Sequence, residues 1–230
     1  MVIRNRLASL LYRALEVAIA IYTLVAVYSS PLAGAHPLRY FSTEAAIYAL
    51  VIVSLAFIFN LIDLIRHGFN GIAAYVYMPL TLAAVIYLLV EGLSYWILYP
   101  TIYGSPWGTG MAIADLFSHL ILPLLIFLGW LLFDEKGTVK WRHGIYFLAF
   151  PLFFILYSEL AHLIFQDTFY PYPVMNPDFY SGLGSFMSSN SGWTGVTVFM
   201  FSMMAFVALV SFLMIFLSNL LAGKYRRIHD

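Results

Sequence analysis

The chain contains no cysteine, which excludes disulfides, thiolate metal sites and a cysteine nucleophile. Charge is also scarce. Only 10% of the 230 residues are Asp, Glu, Lys or Arg, against about a quarter in soluble domains, too few to cover a globular surface. Acidic and basic residues number 11 each, and a net charge of zero points to no nucleic-acid partner. The first apolar run is not followed by a small-residue cleavage site, so it is expected to persist as a helix rather than be removed as a signal peptide. No internal repeat, low-complexity tract or linker interrupts residues 1–230, which read as one domain.

What is present is apolar: 63% of residues are hydrophobic and 18% aromatic. A spanning helix needs roughly 20 mostly apolar residues, and six segments qualify, at about Leu7–Tyr28, Ala45–Ile65, Ile72–Leu98, Met111–Phe133, Tyr146–Phe165 and Thr197–Leu221. The expected fold is therefore an all-α, six-span membrane protein. Pro79 falls inside the third segment and predicts tilt or a kink there. Pro123 and Pro151 interrupt the fourth and fifth, as lipid-embedded helices tolerate when neighbours satisfy the freed carbonyls.

Basic residues set the expected orientation. Arg4, Arg6 and Arg13 lie near the start, Arg66 after the second span, Lys136, Lys140 and Arg142 between the fourth and fifth, and Lys224, Arg226 and Arg227 after the sixth. With six spans all ten share one side and only Arg39 falls on the other. The positive-inside rule makes the populated side cytoplasmic, so both termini are expected in the cytoplasm and the protein in the cell membrane. The two larger external loops, Tyr99–Gly110 and Gln166–Gly195, are rich in Gly, Pro, Ser, Asn and aromatics.

Ionisable groups inside a bilayer are costly unless paired or wetted, and each is a functional candidate. Glu16 lies in the first span. Glu91, Asp115, His119, Glu159 and His162 all map to the outer third, level with Ser42, Thr43 and Glu44 at the start of the second. Asp115 and His119 are four apart and share a helix face, as do Glu159, His162 and Gln166. Tyr87, Glu91, Ser94 and Tyr95 form a polar stripe. Such groups also serve as interhelical glue, so each residue has a packing explanation beside a functional one.

Three chemistries fit the cluster. In the first, His119 takes the proton from a serine or threonine hydroxyl that attacks a lipid ester, with Asp115 or Glu91 orienting the imidazole. No cofactor is needed, and the partners are membrane lipid and a small ester substrate. Asn190, Tyr170 and the amides that open the second span are candidate oxyanion donors. In the second, Glu159 and His162, at the spacing used by bundle carboxylate sites, bind a divalent metal with His119, Asp115 and Glu91. The third is ion or proton transport, which needs a polar route continuing through Glu16 and Asp63. Elsewhere, His67, His143 and His229 sit in basic segments, and His36 lies near the external cluster. Asp167 and Asp178 are expected to be solvated. The stretch Ser181-Gly-Leu-Gly-Ser185 lacks the lysine and preceding strand of a phosphate loop.

Several segments carry a resemblance. His119-Leu-Ile-Leu-Pro123, continuing to Trp130-Leu-Leu-Phe-Asp134, resembles the "H-x-x-x-P … D-W-L-L-F" segment of the Pr6Pr family of bacterial membrane proteins, which is similar to the animal androgen-induced-gene family. Tyr170-Pro-Tyr-Pro173 with Val174-Met175-Asn176 resembles that family's "Y-P-Y-P-F-L-D". Pro151 and Tyr157 match the "P … Y" of its fifth helix, and Arg39-Tyr-Phe-Ser42 its "Y-F-T". The resemblance spans about residues 36–180. It implies a six-helix membrane fold and, from the animal members, hydrolysis of fatty acid esters of hydroxy fatty acids by an intramembrane threonine with a histidine. By position His119 matches the histidine. A gapless match places Ser42 on the threonine, and a one-residue slip places Thr43 there. The chain departs from the pattern at Ala45-Ala46 (usually Ser-Asn), Gly129 and Asn176 (both usually Asp), and at Glu159 and His162, which stand where Arg-Gly is usual.

Overall fold

The computed structural model describes residues 2–30, 36–74, 76–103, 113–165, 169–177 and 192–226. Gln166, Asp167, Asp178, Ser181–Ser185, Asn190, Arg227 and His229 lie outside them. Six helices are long and apolar enough to cross a bilayer. They are α1 (Arg6–Ser29), α2 (Phe41–His67), α3 (Met78–Tyr103), α4 (Ile113–Phe133), α5 (Ala149–Phe165, preceded by the turn His143–Tyr146) and α6 (Gly192–Arg226). The described residues hold no strand beyond one isolated bridge, Asn5 to Asn70. The protein is an all-α, multi-pass membrane protein.

Most boundaries fall within about a turn of expectation, but α6 runs beyond its expected Thr197–Leu221 at both ends, and α3 is displaced. It begins at Met78, not Ile72, and Pro79 sits in its first turn rather than kinking its middle. Proline is suited to that place, because a first-turn N–H has no helical acceptor. The preceding stretch is fastened elsewhere. Arg6 N–H donates to Phe69 O at 2.8 Å, and Gly71 N–H donates to Arg4 O at 3.3 Å. The Arg6 guanidinium donates to the His67, Gly68 and Asn70 carbonyls while pairing with Asp63 at 2.6 Å. A charged side chain thus supplies the donors that a non-helical segment needs at the membrane edge.

One face of the bundle gathers the chain start, the α2–α3 connection, the α4–α5 connection and the end of α6. Ile3 N–H donates to Leu132 O at 2.8 Å, and Gly137 N–H donates to Ser218 Oγ at 3.0 Å. Arg4, Arg6, Arg66, Lys136, Lys140 and Arg142 belong to these segments, whereas Arg13 is buried within the bundle.

The helices pack through small residues, as expected where lipid is as apolar as leucine and close approach drives association. The buried residues of α2 are Thr43, Ala45, Ala46, Ala49, Ile52, Val53, Ala56 and Asn60. Asn60 Nδ2 donates to Ser9 Oγ of α1 at 3.2 Å. Ala45 and Ala46 therefore belong to the core. Outward, Leu11, Ile65, Phe153 and Phe201 are exposed, as lipid-facing side chains are.

The core also contains charge. Arg13 Nη1 pairs with Glu16 Oε2 at 2.8 Å and Arg13 Nη2 with Asp134 Oδ1, all three residues buried. At 1.5 Å rise per residue Glu16 stands about 15 Å along α1 from Arg6, toward the middle of that helix. The approach depends on Gly129, where an added Cβ would lie 1.9 Å from Glu16 Oε1. Lys136 seals the end of α4, donating to Trp130 O at 2.6 Å and to Asp134 O, with its ammonium 4.4 Å above the Trp130 ring.

Candidate functional site

At the face opposite the basic one, the helix ends enclose a cavity of about 580 Å3. Its walls carry Ser42 and Thr43 from α2, Glu91, Ser94 and Tyr95 from α3, and Asp115, Ser118 and His119 from α4. Tyr170 to Tyr172 and Val174 to Met175 contribute from the segment after α5, and Met200, Met203 and Met204 from α6. The structure therefore brings Ser42, Thr43, Glu91, Asp115 and His119 to one cavity. Glu159 and His162 do not line it. Glu159 is buried with neither carboxylate oxygen hydrogen-bonded among the described residues, and the His162 ring packs against Tyr170 at 4.6 Å. Among the described residues, no group of three His, Asp or Glu side chains is arranged to hold a metal ion.

His119 is placed by its own helix's irregularity. In an α-helix its carbonyl would accept from residue 123, but Pro123 has no N–H. Residues Phe117–Ile121 widen into a π-turn, closed by the Leu122 N–H to Phe117 O bond, a device frequent at functional sites. Trp96 Nε1 donates to the orphaned His119 carbonyl at 3.1 Å. Gly92 permits this approach, since a Cβ there would lie 2.7 Å from His119 O.

Three side chains surround the imidazole. It stacks on the Tyr95 ring at 3.8 Å and 9°. Its Nδ1 forms an ion-pair contact with Glu91 Oε1, although the angle is not that of a hydrogen bond. Its Nε2 stands 3.8 Å from Asp115 Oδ1, beyond hydrogen-bond range. Glu91 is buried and its second oxygen is also without a hydrogen bond.

The start of α2 is capped from a distance. Its N-cap, Tyr40, makes no side-chain capping bond, so the first amides need an acceptor. Tyr172 provides it: the Phe41 and Ser42 amides and the Ser42 hydroxyl all hydrogen-bond its phenol oxygen. Burial, with the Glu91 carboxylate adding to it, raises the phenol above its ordinary range, so Tyr172 keeps its proton at neutral pH. Thr43 is buried and its hydroxyl has no hydrogen-bond partner among the described residues. Neither Ser42 nor Thr43 is bonded to His119.

Sequence reasoning did not single out Tyr172, Trp96 or Gly92. The Tyr-Pro-Tyr-Pro segment was a signal for the first, and the missing donor at Pro123 a signal that some side chain must supply one. Of the oxyanion candidates, Tyr170 lines the cavity and the α2 amides bond Tyr172.

Comparison with protein-family models, with curated proteins and with solved structures returns no match.

Proposed function

We propose that the protein is an intramembrane lipid-ester hydrolase of the cell membrane, with both termini cytoplasmic, whose cavity admits an acyl chain from the outer leaflet. The observation that carries this is His119, in contact at Nδ1 with a buried carboxylate and stacked on Tyr95, at the wall of a mainly apolar cavity that also holds two hydroxyls. A carboxylate at Nδ1 favours the tautomer whose Nε2 lone pair accepts a proton. The methionine-rich wall offers an adaptable apolar surface for a flexible chain. The resemblance to the Pr6Pr and androgen-induced-gene families supports the same reaction.

In the proposed reaction the hydroxyl oxygen attacks the ester carbonyl carbon while its proton passes to His119 Nε2. Collapse of the tetrahedral intermediate breaks the acyl–oxygen bond, and the departing alkoxide takes that proton. Water then attacks the acyl-enzyme with His119 again as base, releasing the carboxylic acid and restoring the hydroxyl. Thr43 is favoured as nucleophile because its hydroxyl is uncommitted, whereas Ser42 is bonded to Tyr172. Tyr172, with two amides donating to its oxygen, is positioned to donate its own proton toward the developing oxyanion. Substrate binding has to bring the hydroxyl and His119 together, as catalytic contacts often tighten only in the complex.

The test is labelling of purified protein in detergent with a fluorophosphonate probe, alongside hydrolysis of a long-chain ester, for wild type, Ser42→Ala, Thr43→Ala and His119→Ala. Loss of both signals in Thr43→Ala and His119→Ala supports the assignment, and loss in Ser42→Ala instead moves the nucleophile. A folded wild type that neither labels nor hydrolyses sinks it. A second reading, a lipid-binding protein without turnover, is favoured by the missing hydroxyl–His119 bond. Metal binding and transport have less support. Glu159 and His162 stand apart from the cavity, and Glu16 is tied to Arg13 without reaching it.

A further inference from the structure

A second cavity, of about 440 Å3, opens on another part of the bundle and shares no lining residue with the first. Between them stand the rings of Phe41, Tyr48, Tyr87 and Phe150, with neighbouring centroids 5.0 to 6.4 Å apart. The second cavity is bounded by the first turn of α3 (Tyr77 to Leu80), the turn that begins at His143, and Tyr48 of α2.

Its composition is distinctive for a membrane protein: the lining holds Arg142 but no Asp or Glu. Arg142 is exposed, and no carboxylate among the described residues pairs with it. Tyr77 and Tyr146 flank it, both exposed and with no hydrogen bond among the described residues. Tyr48 is committed, donating to Leu80 O at 3.2 Å. Below the polar groups the wall turns apolar at Leu80, Ala83 and Phe147. Trp141, half exposed beside Arg142, is an aromatic of the sort that marks the headgroup level.

We infer that this cavity binds the phosphate of an anionic phospholipid from the leaflet at the basic face. A guanidinium matches two phosphate oxygens with paired donors, and two phenol hydroxyls at the same mouth supply further donors. Basic pockets between membrane helices on the cytoplasmic side bind lipid phosphates in this way. The apolar inner wall gives the first segment of an acyl chain a surface, and the exposed Leu80 and Ile145 continue it toward lipid. A free phosphate would satisfy Arg142 and leave that wall uncovered. A zwitterionic headgroup would bring a cation to a site with no carboxylate to receive it.

The experiment is native mass spectrometry of the full chain in detergent, offered dioleoylphosphatidylglycerol and dioleoylphosphatidylcholine at equal concentration. The wild type should retain phosphatidylglycerol at least ~5-fold more than phosphatidylcholine. Arg142→Ala should lose that preference. Lys140→Ala, which removes the same charge from a residue outside the cavity, should keep it. Leu80→Trp, which fills the cavity and leaves Arg142 in place, should weaken retention as Arg142→Ala does, and it keeps the test decisive if the arginine variant unfolds. Equal loss in the Arg142 and Lys140 variants would reduce the effect to surface charge and overturn the site. Equal retention of the two lipids by the wild type would do the same. Displacement of the lipid by millimolar sodium phosphate, with phosphate itself retained, would make this a free-phosphate site and overturn the lipid assignment.

Discussion

Glu91 Oε1 meets His119 Nδ1 across the α3–α4 interface, while Nε2 on the opposite edge of the ring stands 3.8 Å from Asp115. The two carboxylates are therefore not equivalent. Glu91 is buried against the ring, whereas Asp115 is partly exposed. Under the hydrolase assignment, Glu91→Gln should lower kcat by roughly 10²- to 10⁴-fold with little change in KM, as expected for loss of an orienting carboxylate. Asp115→Asn should cost far less. Steady-state hydrolysis of a long-chain ester distinguishes them, and equal effects would remove Glu91 from its assigned role.

Tyr172 supplies the second prediction. Its hydroxyl meets the first amides of α2 and its residue lines the cavity, so Tyr172→Phe removes both a helix cap and the proposed oxyanion donor. Loss of a cap costs about 1 kcal/mol, which thermal unfolding in detergent will register. Loss of an oxyanion donor costs roughly 10²- to 10³-fold in kcat. A variant with lowered stability and undiminished kcat would leave Tyr172 as a cap alone.

The π-turn at His119 can be tested through its support. Trp96→Phe removes the indole donor that replaces the one missing at Pro123, at a cost of about 1–3 kcal/mol. Gly92→Ala places a methyl against the same carbonyl and should force α3 and α4 apart. Because both act on one contact, the double variant should lose less stability than the sum of the singles. Strict additivity in thermal unfolding would mean that the two residues are not working on a shared contact.

The span count and the cavity's main residues were legible in the sequence because both depend on hydrophobic length and helical spacing. The shared face of Asp115 and His119, and the common level of Ser42, Thr43 and Glu91, follow from counting residues along helices. The start of α3 was not legible. The stretch before Met78 is as apolar as a span, and only the first-turn preference of Pro79 and the backbone bonds that tie Phe69 and Gly71 to the Arg4–Arg6 segment mark where α3 begins. Glu159 and His162 have ligand spacing, but spacing within one helix does not say which neighbours that face meets. Arg13 looked like part of a cytoplasmic basic patch, and its burial became visible only when Asp134 of a distant helix closed on it.

That buried network yields a stability prediction. Removing one partner leaves a charge uncompensated, so Asp134→Ala should destabilise by about 3–5 kcal/mol. Gly129→Ala should also destabilise, because its methyl would overlap Glu16 Oε1. Shortening the acid relieves the overlap, so Gly129→Ala should cost less in a Glu16→Ala background than in the wild type. An unchanged cost there would show that Gly129 is needed for some neighbour other than Glu16.

Lys136 gives the chain a pH dependence of definite sign. Burial lowers its pKa from 10.5 to about 8, against the opposing pull of Asp134. Between about pH 8 and 10.5 the unfolded chain therefore holds a proton at this position that the folded chain has released. Stability rises with pH wherever the unfolded state binds more protons, so the Lys136 contribution grows more favourable across that window and is flat below it. Thermal unfolding in detergent from pH 7 to 10 should show this upward component in the wild type. Lys136→Met, which has no titrating group, should lack it. If the two profiles run parallel, the ammonium is better solvated than its contacts with Trp130 O and Asp134 O imply.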